Sequence, residues 1–209
     1  MDGSGQLIDD TWVCYCVGAG GDVSFDLALI ERHGATVRSI EPVAEYVDEA
    51  RRPAGGRDRF SAYQAAIASA EGPLRMQVTH DPGSRSLSAA GLYDPDRYVE
   101  APGRRLESVM VELGDDHIDL LKLDIEGSEH DVVPTLDLRA LGVRIFATQL
   151  HHTASVGAAP SLIELVRAQG YEAVAVRPVL KITFLREDQL AAAIGALGRL
   201  GANGSASSS

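Results

Sequence analysis

Short apolar runs alternate along the chain with stretches whose apolar positions recur at the spacing of a helix. A β-favouring run over residues 13–17 predicts a first strand. Residues 24–33 place Phe25, Ala28 and Leu29 on one helical face, and Gly34 is positioned to end that helix. A second strand is predicted over 35–40 and a short helix over 43–51, broken at Pro53, Gly55 and Gly56. A third strand is expected around 61–67, followed by 74–78 beyond the turn signal Glu71-Gly72-Pro73. Residues 106–113 read as a helical turn or a short strand and helix. Residues 118–124 read as a fourth strand, 132–141 as a helix and 143–150 as a fifth strand. In 160–169, Leu162, Leu165 and Val166 form a helical stripe, with Pro160 near its start and Gly170 after its end. The last two β-rich runs, 172–176 and 181–185, lie too close together for a crossover helix and predict an antiparallel hairpin. The whole pattern predicts an α/β fold. It is a Rossmann-like doubly wound sheet, mostly parallel, with a C-terminal antiparallel hairpin and a ligand crevice at the C-terminal strand ends.

The periodicity fails between residues 79 and 105, where Pro, Gly, Ser and Asp accumulate. This segment reads as a long surface loop, either an idle insertion or a cover for a substrate, with Leu87, Leu92 and Tyr93 available for contact. Residues 1–200 are expected to form a single domain, and the small polar residues 201–209 a disordered tail.

The 209 residues are 45% hydrophobic, enough for a sizeable core, and the net charge of −11 excludes a surface that attracts nucleic acid generally. No apolar run approaches the roughly 20 residues needed to span a bilayer. The first residues lack the basic and apolar regions of a secretion signal, so a cytoplasmic location is expected. Arginine supplies nearly all the positive charge, and with the abundant Ala and Gly this suggests a bacterial origin. Cys14 and Cys16 read as small core side chains of the first strand rather than half of a metal site.

Chemistry enters at the end of that strand. Gly18-Ala19-Gly20-Gly21-Asp22 separates it from a helix beginning near Ser24. Glycines there let the backbone turn sharply and let a ligand lie close against it. The next strand ends on Glu41, followed by Pro42, and an acid at that position suits the two hydroxyls of a ribose. Dinucleotide sites place a third glycine where this chain has Val23, and Asp22 would repel a pyrophosphate. A cofactor carrying an ammonium and a sulfonium suits that carboxylate better, which favours S-adenosyl-L-methionine over NAD. Ala66 and Ile67, ending the third strand, are candidates for contact with the adenine.

A second cluster lies at the fourth strand. Lys122, Asp124 and Glu126 share a face if the strand continues that far, and Glu129 follows. After the fifth strand, His151 and His152 reach the same sheet edge. A histidine there suits removal of a hydroxyl proton, with Glu126 as the next candidate. The acids could hold magnesium, but too few oxygens converge, and no metal is expected.

The run Lys122-Leu123-Asp124-Ile125-Glu126-Gly127-Ser128-Glu129 resembles the K-[LIV]-D-[LIV]-E-G-x-E signature of the FkbM family of S-adenosylmethionine-dependent methyltransferases. The stretch from Gly18 to Asp26 resembles that family's first motif, and Ile40-Glu41-Pro42 its acid-proline pair. The resemblance covers about residues 13–185 and implies methyl transfer to a hydroxyl of a small molecule such as a sugar, lipid or polyketide. It departs at Cys16, where most members carry an acid, so Asp22 or Asp124 is expected to take the ammonium contact. Expected partners are the hydroxyl acceptor and, as an option, a second copy of the chain. Two other readings stay open, an NAD-dependent oxidoreductase and a non-catalytic regulator that binds the cofactor.

Overall fold

A computed structural model of the chain describes residues 7–81, 84–151 and 157–194. Its main sheet has seven strands in the order β10-β11-β9-β8-β1-β2-β3. These are β1 (Val13–Val17), β2 (Thr36–Glu41), β3 (Phe60–Gln64), β8 (Leu120–Leu123), β9 (Ile145–Gln149), β10 (Tyr171–Arg177) and β11 (Lys181–Arg186). The five strands from β3 to β9 run parallel, and β11 is antiparallel to both β9 and β10. This is the expected α/β fold with its C-terminal hairpin.

The centre of the sheet is buried on both faces, as the unbroken apolar sequence of β1 requires. Tyr15 and Val17 face a core shared with Leu121, Leu123, Phe146 and Phe184. Cys14 and Cys16 face the other way, among Trp12, Leu29, Val37 and Leu120. Both cysteines are free, and burial pushes the Cys14 thiol up to about 12, so they serve packing.

The helices are α1 (Ser24–His33), α2 (Ala44–Ala54), α3 (Leu106–Leu113), α4 (Glu129–Val132) and α5 (Ala158–Ala168). Gly34, Gly55 and Gly114 close the first three in the left-handed conformation. Helix α1 turns a different face to the sheet from the one its apolar spacing suggests. Asp26 and Leu29 are buried, whereas Phe25 is 44% exposed. Among the described residues no helix is long and apolar enough to cross a membrane.

Helix α2 is not broken at Pro53 as expected but runs through it to Ala54 and ends at Gly55. Three further expectations need correction. The third strand is two: β3 belongs to the main sheet, and after buried Ala65 the chain enters β4 (Ala66–Ile67) of a second sheet. That sheet has the order β4-β7-β5-β6, with β5 (Gly72–Val78), β6 (Leu87–Ser88) and β7 (Tyr98–Arg104). Segment 79–105 is therefore no simple loop. Its β7 was hidden because, of its inward positions Val99, Ala101 and Gly103, the two that are fully buried are too small to mark a hydrophobic alternation. The helix expected over 132–141 instead ends early. Pro134 has no N–H to extend the ladder, so α4 passes into a 3-10 turn, and Leu136 is extended.

Candidate active site

The glycine loop after β1 is clamped from both neighbouring strands. Gly18 donates its N–H to the Ile40 carbonyl of β2 at 2.9 Å. Its φ is +82°, and a Cβ there would lie 1.9 Å from the Asp124 carbonyl oxygen beyond β8. Only a glycine lets these two segments touch. Gly20 donates to Glu41 Oε2 at 2.9 Å, and the Val43 N–H reaches the same carboxylate at 3.2 Å. Glu41 is only 4% exposed, and burial pushes its carboxyl above the usual range despite those two donors.

Around this clamp lies a cavity of about 230 Å³. Gly18, Ala19, Gly20, Glu41 and Pro42 form one wall and Ala65, Ala66 and Ile67 another, while Asp124, Ile125 and Glu126 close the end towards β8. Gly21, Asp22 and Ser24 stand outside this wall. The Asp22 carboxylate is exposed and accepts the Ser24 N–H at 3.0 Å, holding the first turn of α1.

Strand β8 stops at Leu123, so Lys122, Asp124 and Glu126 do not share a strand face. Glu126 adopts φ +52°, which turns the backbone out of the sheet. The turn is held from inside by Glu129, which has no solvent exposure. Its two oxygens accept the Ile125 and Gly127 N–H groups, each at 2.8 Å.

His151, just past β9, joins this acid cluster. Its Nδ1 lies 3.2 Å from Glu129, and its Nε2 lies 3.2 Å from Glu126 and 3.9 Å from Asp124. Burial favours the neutral ring, but Glu129, Glu126 and Asp124 together outweigh it and raise the imidazole above its ordinary value. Burial pushes the Asp124 carboxyl up in turn. The Gln149 amide sits 2.9 Å from His151 Nε2 and suits either protonation state by turning its oxygen or its nitrogen inward. His130, in α4, bonds the His151 carbonyl at 2.9 Å. His152 lies outside the described residues. One ligand atom each from Asp124, Glu129 and His151 falls within 4.8 Å of the others, a spacing a cation could bridge. Two backbone N–H groups and the imidazole already occupy Glu129 there.

The small sheet caps the cluster. Ser86 and Tyr93 donate hydroxyls to the two Glu126 carboxylate oxygens at 2.6 and 2.7 Å. Ser88 donates to the Glu126 carbonyl at 2.6 Å. Arg85 crosses the glycine loop, reaching the Gly20 carbonyl at 3.3 Å and pairing with Glu49. Of these contacts, only Tyr93 was marked by the sequence, as one of three side chains available for contact in an aperiodic segment.

The model of the methyltransferase FkbM domain matches residues 16–173. Part of the chain is similar to AMB antimetabolite synthetase AmbE of Pseudomonas aeruginosa, 42% identical over 73 residues. That match covers 33% of this chain, which spans only 3% of the length of that relative. Among solved structures, the fibrillarin pre-rRNA processing protein of Methanococcus jannaschii aligns at a TM-score of 0.51 and 11% identity, over 87% of this chain and 68% of that one. The human methyltransferase 10 domain containing protein aligns at 0.50 and 12%, over 90% and 75%. At these identities the structural likeness speaks for the fold alone.

Proposed function

The chain belongs to the FkbM methyltransferase family, and from that premise we propose that it methylates a hydroxyl group of a small molecule, with S-adenosylmethionine as donor. The observation that carries this reading is the joining of Glu41 and Asp124 in one cavity, brought together by a glycine that tolerates no side chain. The residues present fit the cofactor. Gly18, Ala19 and Gly20 leave backbone free for close approach, and buried Glu41 offers a carboxylate to vicinal hydroxyls. Pro42, Ala66 and Ile67 supply a small apolar slot, and Asp124 suits an ammonium. When bound, the cofactor supplies an electrophilic methyl group on a positively charged sulfur.

The acceptor hydroxyl must lose its proton as it is methylated, and His151 is placed to take it at Nε2. Glu129 holds the ring through Nδ1, so Nε2 is the nitrogen turned to Glu126 and the cavity end. Asp124, Glu126 and Glu129 then stabilise the imidazolium that results. Glu126, held by Ser86 and Tyr93, orients the incoming hydroxyl or the ring. Segment 79–105 is proposed to cover the acceptor, because it supplies both of those hydroxyls.

Calorimetry with S-adenosylmethionine and with NAD, followed by turnover on a panel of hydroxylated metabolites, tests this. Saturable binding of the first alone, with methyl transfer to oxygen, is expected. Binding without turnover on any acceptor would favour a regulatory protein, and preference for NAD would defeat the reading.

A further inference from the structure

Asp124 also lines a second cavity, of about 170 Å³, outside the first. We propose that this cavity is the subsite for an anionic group, carboxylate or phosphate, carried by the methyl acceptor. The inference rests on the reading of the first cavity as the cofactor site.

Three cations define it: Lys122, Arg177 and Lys181. Lys122 and Lys181 are the only lysines in a chain whose net charge is −11, and both stand here. Among the described residues none of the three has a carboxylate within 4.0 Å. The sheet register explains how they meet. Lys181 pairs with Gln149 of β9 on one side and with Arg177 of β10 on the other, so Gln149, Lys181 and Arg177 lie in a row on one face, and Lys122 shares that face through its partner Ala147, two residues before Gln149. The turn joining Arg177 to Lys181 holds Val179 and Leu180 at φ +57° and +49°, conformations that side chains such as these rarely adopt. Glu126 is the remaining non-glycine residue with positive φ among the described residues. Backbone strain is thus concentrated where the two cavities are built.

The row also leads to the proposed base, since Gln149 contacts both the cavity and His151 Nε2. Phe25, exposed at the start of α1, gives the cavity an apolar wall. A hydroxylated carbon skeleton lying on Phe25, with its anion on Lys181 and Arg177, would present its hydroxyl towards Asp124 and His151. The charge of Lys122 is shared with Asp22, Asp26 and Asp124, but Arg177 and Lys181 have no carboxylate partner among the described residues, and such cations beside an apolar wall recognise an organic anion rather than a neutral sugar.

The test is titration calorimetry of inorganic phosphate and of acetate, with and without saturating S-adenosylhomocysteine. The wild-type protein is compared with the double variant Lys181→Gln, Arg177→Gln. Both positions are exposed, and a melting curve checks the fold. Saturable binding of at least one anion is expected, weakened at least tenfold in the variant, with unchanged S-adenosylhomocysteine affinity. A preference for phosphate assigns a phosphate monoester, and a preference for acetate a carboxylate. Absence of saturable anion binding, or binding retained by the variant, overturns the proposal. Loss of S-adenosylhomocysteine affinity in the variant also overturns it, because the cations would then hold the cofactor's own carboxylate. Failure of the wild type to bind S-adenosylhomocysteine at all would instead strike the cofactor reading, which the first titration measures separately.

Discussion

Nδ1 of His151 lies 3.2 Å from Oε1 of Glu129, a carboxylate wholly removed from solvent. The same carboxylate ties down the backbone at Ile125 and Gly127, so one buried side chain fixes both the strand-end turn and the imidazole. Glu129→Gln replaces one acceptor by an NH2 group facing a donor, and should cost about 2–3 kcal/mol. Urea unfolding should show a lower midpoint with an unchanged slope. A midpoint equal to that of the wild type would show that the carboxylate does not hold the turn.

The raised pKa of His151 sets two opposite pH dependences. Its folded value lies above its unfolded one, so its contribution to stability is fully present below the unfolded value and is lost as pH rises through the folded value. With His151 as the proposed base, turnover needs the neutral ring and should rise over that same interval, with its lower limb above the ordinary 6.5. His151→Ala should lose roughly 10²–10⁴-fold in turnover while keeping cofactor affinity. A variant with wild-type turnover would move the base to Glu126 or to His152.

Glu41 is a carboxylate kept in a buried site by two backbone donors. Glu41→Gln removes the charge but retains an acceptor. We expect S-adenosylmethionine affinity to fall by about 1.5–3 kcal/mol, and the melting temperature to fall as well, because one of the two backbone donors then faces an NH2 group. Calorimetry showing equal affinity would remove Glu41 from the cofactor site.

Gly18→Ala should be strongly destabilising. Residue 18 has φ +82° and the added carbon would meet the Asp124 carbonyl oxygen at 1.9 Å, so β1 and β8 must part at their ends. A loss of at least about 2–3 kcal/mol is expected from strain and overpacking. Thermal melting measures it, and a shift of less than a few degrees would mean that the loop relaxes freely.

Tyr93 reaches Glu126 from the connection between β6 and β7, and burial together with that carboxylate pushes its phenol up to about 12. It therefore acts as a hydrogen-bond donor and not as a base. Tyr93→Phe should lower turnover about tenfold with cofactor affinity unchanged, as expected of one lost bond to a charged group. Loss of cofactor affinity would place Tyr93 in the cofactor site instead.

The sequence made the glycine loop, Glu41 and the Asp124–Glu129 motif legible because each sits where an apolar run stops. There, polar residues must cap a helix or meet a ligand. Glu129 was visible only as one of several acids, since nothing in its spacing says that it folds inward onto two N–H groups. Ser86 and Gln149 carried no signal, because their roles depend on chain segments that meet only in three dimensions. Spacing put Phe25 on one helical face with Ala28 and Leu29, but Asp26 takes the inward place beside Ser39 and Cys16, where burial pushes its carboxyl up.

The passage of the chain from one sheet to the other at Ala65 has a further consequence. Ala66 and Ile67 pair with Gly103 and Arg104, so the stretch 66–104 leaves the scaffold and returns to it on adjacent strands. A contiguous piece with neighbouring ends is a cassette: its interior can be lengthened, shortened or exchanged without moving β3 or α3. Ser86 and Tyr93 ride on that piece, whereas Glu41, Asp124 and His151 do not. Diversification inside the cassette therefore re-tools the roof over Glu126 and one wall of the first cavity, while Glu41, Asp124 and His151 keep their places.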